Sequence, residues 1–243
     1  MKPAPATSFG AWADEYDDWR PTYPDAAVDW LTPPVGGQVV EIGAGTGKLT
    51  DRLIERGLEL DVVEPDGRML GIVSQRHPTL RTHETGATSL PLGNASVDAV
   101  LVADAWHWFP KSQAAAEVAR VLRPHGWLAC VWNIPVLTHE WEWQALRLDP
   151  QLAPPEDLDA LDRLGLSSGA AEQRAFRWTW TLTPQQWRGF VSTVSHVRLL
   201  PEDECQAALD ETERLVARAC AAAGAETVPL IHDALCVRWF PET

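Results

Sequence analysis

An alternation of short apolar runs with amphipathic stretches, extending from Gln38 to Asn133, is the feature that most narrows the possible folds of this 243-residue chain. A strand of a parallel sheet is buried on both faces and is continuously apolar, whereas a surface helix is apolar along one stripe. Because crossovers between parallel strands are right-handed, such repeats wind into a sheet with helices on both faces. We expect an α/β, doubly wound sheet of about seven strands, mostly parallel with an antiparallel C-terminal strand.

Individual strands are predicted where β-branched and other apolar residues cluster between turn residues. They cover residues 39–42, 60–64, 80–83, 97–103, 127–132, 176–182 and 228–240. Apolar residues at helical spacing predict helices at 25–31, after Gly47, at 69–76 and 112–122, from Pro184 onward, and at 202–223. The Pro- and Asp-rich stretch 149–159 is expected to be a mobile insertion.

The first predicted strand leads directly into a glycine-rich turn, Glu41-Ile42-Gly43-Ala44-Gly45-Thr46-Gly47. Glycine permits a sharp turn and lets a ligand approach the backbone without a Cβ in the way. Glu64 ends the second strand, where a carboxylate can accept hydrogen bonds from both hydroxyls of a ribose. A tight turn without a ligand, with Glu64 as a solvated strand end, is the alternative.

The spacing of these glycines distinguishes between cofactors. A dinucleotide site has the spacing G-x-G-x-x-G, whereas this chain has G-x-G-x-G with an acid, Glu41, two residues before the first glycine. A carboxylate there would repel a pyrophosphate but attract the amino group and sulfonium of S-adenosylmethionine. The turn therefore predicts S-adenosyl-L-methionine as the cofactor.

The residues around the turn resemble the first two motifs of class I S-adenosylmethionine-dependent methyltransferases; they are 39–50, Val63-Glu64-Pro65-Asp66 and Met69-Leu70. Other stretches are similar to the small-molecule branch of methyltransferase type 11 and trans-aconitate methyltransferase-like proteins. These are Phe9-Gly10, Ala13, Tyr16, 20–24, 90–92, 96–100, 105–109, 117–124, Trp132-Asn133 and 192–195. The resemblance implies a Rossmann-like enzyme that methylates a small molecule.

The same resemblance implies a division of the chain and a set of contacts. Residues 1–35 would form an N-terminal lid, 36–133 the cofactor-binding core, and 134–243 a cap that completes the sheet. Cofactor contacts are expected from Glu41, Gly43, Ala44, Gly45, Thr46, Gly47, Glu64, Pro65, Met69, Ala87, Thr88, Asp104 and Arg20. The chain has Ala87-Thr88-Ser89 where the family commonly has Ala-Glu, so backbone contacts are expected on the adenine side.

Methyl transfer needs alignment rather than a catalytic triad, because the cofactor carries the electrophile. His107 is the candidate general base, since it follows the fourth strand and imidazole titrates near pH ~6.5. Packing between Trp106 and Trp108 is the alternative role for His107. Asp104 is expected to bind the methionine part of the cofactor, unless it is a solvated strand-end acid.

Three aromatic residues, Tyr16, Tyr23 and Trp108, are the candidate substrate contacts. Arg20 is expected to clamp a carboxylate of cofactor or substrate, with a surface ion pair to Asp14, Asp17 or Asp18 as the alternative. The 13 tryptophans add apolar area to segments expected around the pocket. The expected acceptor is therefore a carboxylate or an apolar or aromatic metabolite.

Charge and cysteine usage narrow the class of partner. A net charge of −14 would repel the phosphate backbone of a nucleic acid, and no apolar run approaches the ~20 residues that span a bilayer. No metal is expected, because ligand spacing is absent around Cys130, Cys205, Cys220 and Cys236. We expect a cytoplasmic monomer or homodimer. The alternative functions are a non-catalytic S-adenosylmethionine-binding regulator and an NAD(P)-dependent oxidoreductase.

Overall fold

The computed structural model describes Gly10 and residues 12–149 and 159–242. The strands of these residues form one sheet and are β1 (Gln38–Ile42), β2 (Glu59–Val63), β3 (Arg81–His83), β4 (Val97–Ala103), β5 (Leu122–Pro135), β6 (Ala170–Leu182) and β7 (Val228–Phe240). The helices are α1 (Ala13–Trp19), α2 (Asp25–Leu31), α3 (Lys48–Ile54), α4 (Gly67–Arg76), α5 (Lys111–Val121), α6 (Glu140–Leu146), α7 (Ala160–Leu164), α8 (Pro184–Ser192), α9 (Ser195–Arg198) and α10 (Glu202–Ala223). Phe9 and 150–158 of the expected insertion lie outside the described residues.

The strand order is β3-β2-β1-β4-β5-β7-β6. Neighbouring strands from β3 to β5 are parallel, and β7 runs antiparallel to both β5 and β6. The predicted doubly wound sheet with an antiparallel C-terminal strand is therefore confirmed. The chain order reverses between β1 and β4, so a crevice opens at the carboxyl ends of these two strands.

Alternate residues of the central strands enter separate cores on the two faces of the sheet. Val40 of β1 packs in a cluster with α5 and α7, while the adjacent Val39 packs in another with α2, α3 and α4. This alternation follows from the period of two along a strand. It explains why the central strands are apolar at almost every position, as the sequence pattern predicted.

A third cluster lies beneath the C-terminal helices. It includes Leu146 of α6, Trp187 of α8, Val216 of α10 and Leu230 of β7. The bounds predicted for α2, α10 and β7 agree with the structure. Pro229 lies at the start of β7 and is exposed, which is a position where the missing amide proton is tolerated.

Two strands begin five or more residues earlier than the sequence predicted. β5 starts at Leu122, which pairs with Val97, and its register with β4 then shifts so that Trp127 pairs with Ala99. The predicted turn at 123–126 is thus a bulge inside the strand, with His125 at φ +69°. β6 starts at Ala170, because its residues pair with β7 from that point onward, at an exposed edge of the sheet. The sequence predicted a start at residue 176, because residues 170–175 show no clear apolar alternation.

Helix α1, which the sequence analysis did not identify, is held against α4 and α8. Its Trp19 packs on Gly189 of α8, where a Cβ would overlap the indole ring. Its Asp17 forms ion pairs with Lys48 of α3, at 3.5 Å, and with Arg76 of α4. The position of this short helix is therefore fixed by the close packing of Trp19 on Gly189 and by the ion pairs of Asp17.

Replacing Gly189 by alanine should loosen α1, because the new methyl group and the Trp19 ring cannot occupy the same space. We expect Gly189→Ala to lower the free energy of unfolding by about 1–3 kcal/mol, the usual cost of overpacking. Proteolysis near α1 should accelerate. Gly71→Ala in α4 is the matched control, since no atom lies within 4 Å of its added Cβ. Equal stability changes in the two variants would contradict this packing role.

Candidate functional site

A cavity of about 310 Å³ lies at the carboxyl ends of the parallel strands, where the chain order reverses. Its wall combines the turn after β1, the ends of β2, β4 and β5, the N-terminal helix α1, and residues of α8, α9 and β7. Most residues predicted from the sequence border it: Tyr16, Arg20, Tyr23, Gly43, Ala44, Gly45, Thr46, Glu64, Pro65, Met69, Asp104, His107 and Trp108. Segments distant in the sequence thus converge on one pocket.

The glycine turn is shaped by backbone conformation and by Glu64. Gly43, Gly45 and Gly47 have φ values of +70°, +57° and +91°, which residues with a Cβ rarely adopt. The Gly45 amide donates to Glu64 Oε2 and the Asp66 amide donates to Oε1, both at 2.9 Å. Burial nevertheless raises the pKa of Glu64 above its ordinary value. Its carboxylate therefore braces the turn while bordering the cavity.

Glu41 lies beneath this turn and does not border the cavity. Its side chain is 1% exposed, and its Oε2 accepts a hydrogen bond from the Thr50 hydroxyl at 2.5 Å. Burial raises the pKa of Glu41 to about 8, against the opposing effect of Thr50. In the protein alone Glu41 is therefore mainly neutral at pH 7, so the negative charge that the sequence analysis assigned to it is largely absent.

Asp104 and Tyr23 form a partly buried polar pair at the end of β4. Tyr23 Oη donates to Asp104 Oδ2 at 2.8 Å, and Asp104 adopts φ +48°, an uncommon conformation for a residue other than glycine. Burial raises the pKa of Asp104, while Tyr23 and Arg20 oppose this shift. Burial also raises the pKa of Tyr23 well above its usual value, so Tyr23 stays a donor.

Arg20 is directed toward the cavity instead of the surface. Its Nη2 donates to the Thr193 carbonyl at 2.9 Å, and its guanidinium lies over the rings of Tyr16 and Phe190. Its Nε is buried without a hydrogen-bond partner. No ion pair among the described residues includes Arg20, so the proposed surface pairing with nearby aspartates is not observed.

A single 3-10 turn, Trp106–Trp108, presents His107 and Trp108 to the cavity. Trp106 is buried, and its Nε1 donates to the Leu164 carbonyl at 2.9 Å, which anchors the turn. His107 is exposed, yet partial desolvation, followed by repulsion from Lys111, lowers its pKa. The imidazole can therefore accept a proton at neutral pH. Its role as a general base stays a prediction.

Three other predicted cofactor residues lie away from the cavity wall. Gly47 is the N-cap of α3, Ala87 is buried in the hydrophobic core, and Thr88 is exposed to solvent. None of them borders the cavity. Contacts from Ala87 and Thr88 on the adenine side stay predictions.

The structure adds cavity residues that the sequence analysis did not propose as contacts. They are Pro21, Lys48, Leu49, Ala103, Ala105, Phe109, Asn133, Phe190, Val194, Ser195 and His232. Stretch 192–195 is similar to a methyltransferase branch, and that similarity is a sequence signal that could have identified Val194 and Ser195. His232 carried no signal, because it reaches the cavity through the pairing of β7 with β5.

The described part of the chain lacks two features, a cluster of metal ligands and a membrane-spanning helix. No group of three or more His, Cys, Asp or Glu side chains there could hold a metal ion. None of the helices in these residues is both long and apolar enough to cross a bilayer.

Comparison with known proteins points to one family. The model of a protein family described as a methyltransferase domain matches residues 40–130. An uncharacterized methyltransferase of Mycobacterium tuberculosis is 37% identical over 233 residues, which cover 95% of this chain and 94% of the relative. The similarity therefore extends over nearly the full length of both proteins.

Solved structures share the fold. A putative type II methyltransferase from Anaeromyxobacter dehalogenans superposes with a TM-score of 0.70 at 24% identity, covering 92% of this chain and 99% of that one. A Haemonchus contortus phosphoethanolamine N-methyltransferase in complex with S-adenosylhomocysteine gives 0.55 at 13% identity, covering 99% and 61%. At these identities the likeness is one of fold.

The raised pKa of Glu41 predicts a specific pH dependence of stability. Between its ordinary value near 4.5 and its folded value of about 8, the unfolded chain releases the proton first, so the native state loses stability as pH rises. We expect Glu41→Gln to remove this loss, because the amide oxygen can still accept from Thr50. The gain at pH 8 relative to pH 5 should be at least on the order of 1 kcal/mol.

Urea unfolding of parent and variant at several pH values measures this difference. Glu226→Gln, at an exposed glutamate, is the matched control and should follow the parent. Parallel profiles for the parent and Glu41→Gln would contradict the assignment.

Proposed function

Because the chain belongs to the class I S-adenosylmethionine-dependent methyltransferases, we propose that it transfers the methyl group of S-adenosylmethionine to a small-molecule acceptor. The observation that carries this proposal is the cavity at the point where the chain order reverses between β1 and β4. The glycine turn and the Glu64 carboxylate border this cavity. The NAD(P)-dependent alternative is disfavoured by the glycine spacing. The regulatory alternative would require cofactor binding without methyl transfer.

The polar atoms of the cavity fit this cofactor. Thr46 Oγ1 and Arg20 Nε are buried without hydrogen-bond partners, and both residues border the cavity. Buried polar atoms of this kind are normally satisfied by a ligand or by water. Each oxygen of Glu64 accepts one backbone hydrogen bond and retains a lone pair for a ribose hydroxyl.

Two charged side chains of the cavity are suited to the carboxylate and the amino group of the methionine part of the cofactor. Arg20 supplies a guanidinium for the carboxylate of the cofactor, and Asp104 supplies a carboxylate for its amino group. The Tyr23 hydroxyl holds Asp104 from one side. We assign Met69 and Pro65 to the nucleoside end, next to Glu64 and the glycine turn.

When bound, S-adenosylmethionine supplies an electrophilic methyl carbon, so the protein has mainly to align the acceptor with it. Tyr16, Tyr23 and Trp108 border the cavity beside Asp104 and are assigned to the acceptor side. Their rings exclude water from the reacting atoms. His107 is the proposed proton acceptor for an acceptor that reaches the site protonated.

Cofactor binding is the first test of this proposal. We expect calorimetry to show that the parent binds S-adenosylhomocysteine and does not bind NAD. With labelled S-adenosylmethionine and cell extract, mass spectrometry should show one small product that gains a methyl group. Binding without any product would favour the regulatory alternative, and binding of NAD alone would overturn the proposal.

The same assays apply to Gly45→Val, which should abolish binding because a branched side chain is strained at φ +57° and would stand in the path of the ligand. Gly36→Val is the matched control, because Gly36 also has a positive φ, +81°, but is exposed and does not border the cavity. Circular dichroism of both variants establishes that they fold. Retained affinity in a folded Gly45→Val protein would place the cofactor elsewhere.

Substitution of Glu64 is a second test, because its carboxylate both holds the glycine turn and is proposed to accept hydrogen bonds from the ribose. Glu64→Ala should weaken cofactor binding by about 1.5–3 kcal/mol, the range for hydrogen bonds to a charged group. Glu64→Gln should not restore it fully, because either orientation of the amide places an NH₂ group against the backbone amide of Gly45 or Asp66. Titration calorimetry of both variants measures the loss. Glu84→Gln, at an exposed glutamate, is the control, and parent-like affinity in both Glu64 variants would remove Glu64 from the site.

A further inference from the structure

His232 borders the cavity from β7, a strand to which the reading of the sequence assigned no functional role. It pairs with Pro135 at the end of β5 and is 1% exposed to solvent. Its ring stacks on Trp178, with centroids 5.1 Å apart and planes at 22°, and meets Phe190 edge-on at 6.3 Å. An imidazole is thus held rigidly between two aromatic side chains at the cavity wall.

The surroundings keep this imidazole neutral. Burial lowers the pKa of His232 to about 4, although the Leu230 carbonyl and Asp233 oppose the shift. Nδ1 makes no hydrogen bond of normal geometry, even to the Leu230 carbonyl. A neutral imidazole carries one donor and one acceptor nitrogen, and a buried group of this kind normally finds a partner.

The neighbouring polar groups are engaged elsewhere. Asn133 Oδ1 accepts from Trp178 Nε1, and its Nδ2 donates to the Thr22 carbonyl, both at 3.1 Å. Lys48 forms its ion pair with Asp17. With Arg20, Thr46 and Asp104 assigned to the cofactor, His232 is the remaining described residue of the cavity wall that is buried and has a polar side-chain atom without a hydrogen-bond partner.

We propose that His232 hydrogen-bonds the acceptor, and that the acceptor is a neutral aromatic molecule bearing a hydroxyl group. The inference rests on the proposed function, because it leaves Arg20 to the carboxylate of the cofactor. A carboxylate acceptor beside His232 would then be desolvated against Phe190 and a neutral imidazole, with Arg20 paired to the cofactor and Lys48 paired to Asp17, which is costly. A hydroxyl satisfies the imidazole without burying a charge.

Fluorine-detected NMR with three matched probes tests this inference: 4-fluorophenol, 4-fluorobenzoate and 4-fluorotoluene. The full chain is first saturated with S-adenosylhomocysteine, and calorimetry measures this binding separately. If S-adenosylhomocysteine does not bind, the result contradicts the proposed function and not the role of His232. We expect 4-fluorophenol to bind at least tenfold more tightly than 4-fluorobenzoate. Tighter binding of 4-fluorobenzoate, or binding of none of the probes, would overturn the inference.

Variants of His232 show whether the imidazole is responsible. His232→Phe keeps a ring for stacking on Trp178 but removes both nitrogens, so the affinity for 4-fluorophenol should fall to that for 4-fluorotoluene while S-adenosylhomocysteine affinity is unchanged. Asn and Gln place an amide near Nδ1 and Nε2 respectively, and one of them should recover part of the loss. His125→Asn, at an exposed left-handed position that asparagine tolerates, is the control. An unchanged probe preference in folded His232→Phe would refute the role of His232.

Discussion

The carboxylate of Glu64 joins the ends of β1 and β2, and the rest of the site depends on this bridge. One oxygen holds the Gly45 amide of the turn, and the other holds the Asp66 amide at the start of α4. Asp66 in turn accepts from the amides of Gly10 and Arg68, at 3.1 and 3.0 Å. One network of backbone donors and buried carboxylates thus positions the glycine turn, α4 and Gly10 together.

Several of these acidic groups are costly to bury, and the structure offsets the cost in different ways. Glu64 and Asp66 accept backbone hydrogen bonds, and Asp104 accepts from Tyr23. Glu41 instead has a pKa of about 8 and is largely neutral at pH 7. Polar groups that are incompletely satisfied in a cavity lower stability but are ready to bind a ligand, which is a common compromise at functional sites.

The two halves of the cavity come from different parts of the chain. The glycine turn, Glu64 and Asp104 follow the parallel strands, as expected for a doubly wound sheet. Phe190, Ser195 and His232 come from the C-terminal elements, which pack in their own cluster and close the cavity on the other side. The half of the cavity beside the glycine turn therefore follows from the general fold, while the opposite wall depends on the individual C-terminal segment.

The sequence by itself determined the doubly wound sheet, the bounds of α2, α10 and β7, and the cluster of residues at the glycine turn. These features depend on local spacing: period two in strands, 3.6 in helices, and glycine where φ is positive. Only the tertiary structure decided that Tyr23 meets Asp104, that Arg20 reaches Thr193, and that His232 borders the cavity. These pairs are separated by 81 and 173 residues or depend on the register of β7 against β5. No local pattern encodes such contacts, because packing between distant elements creates them.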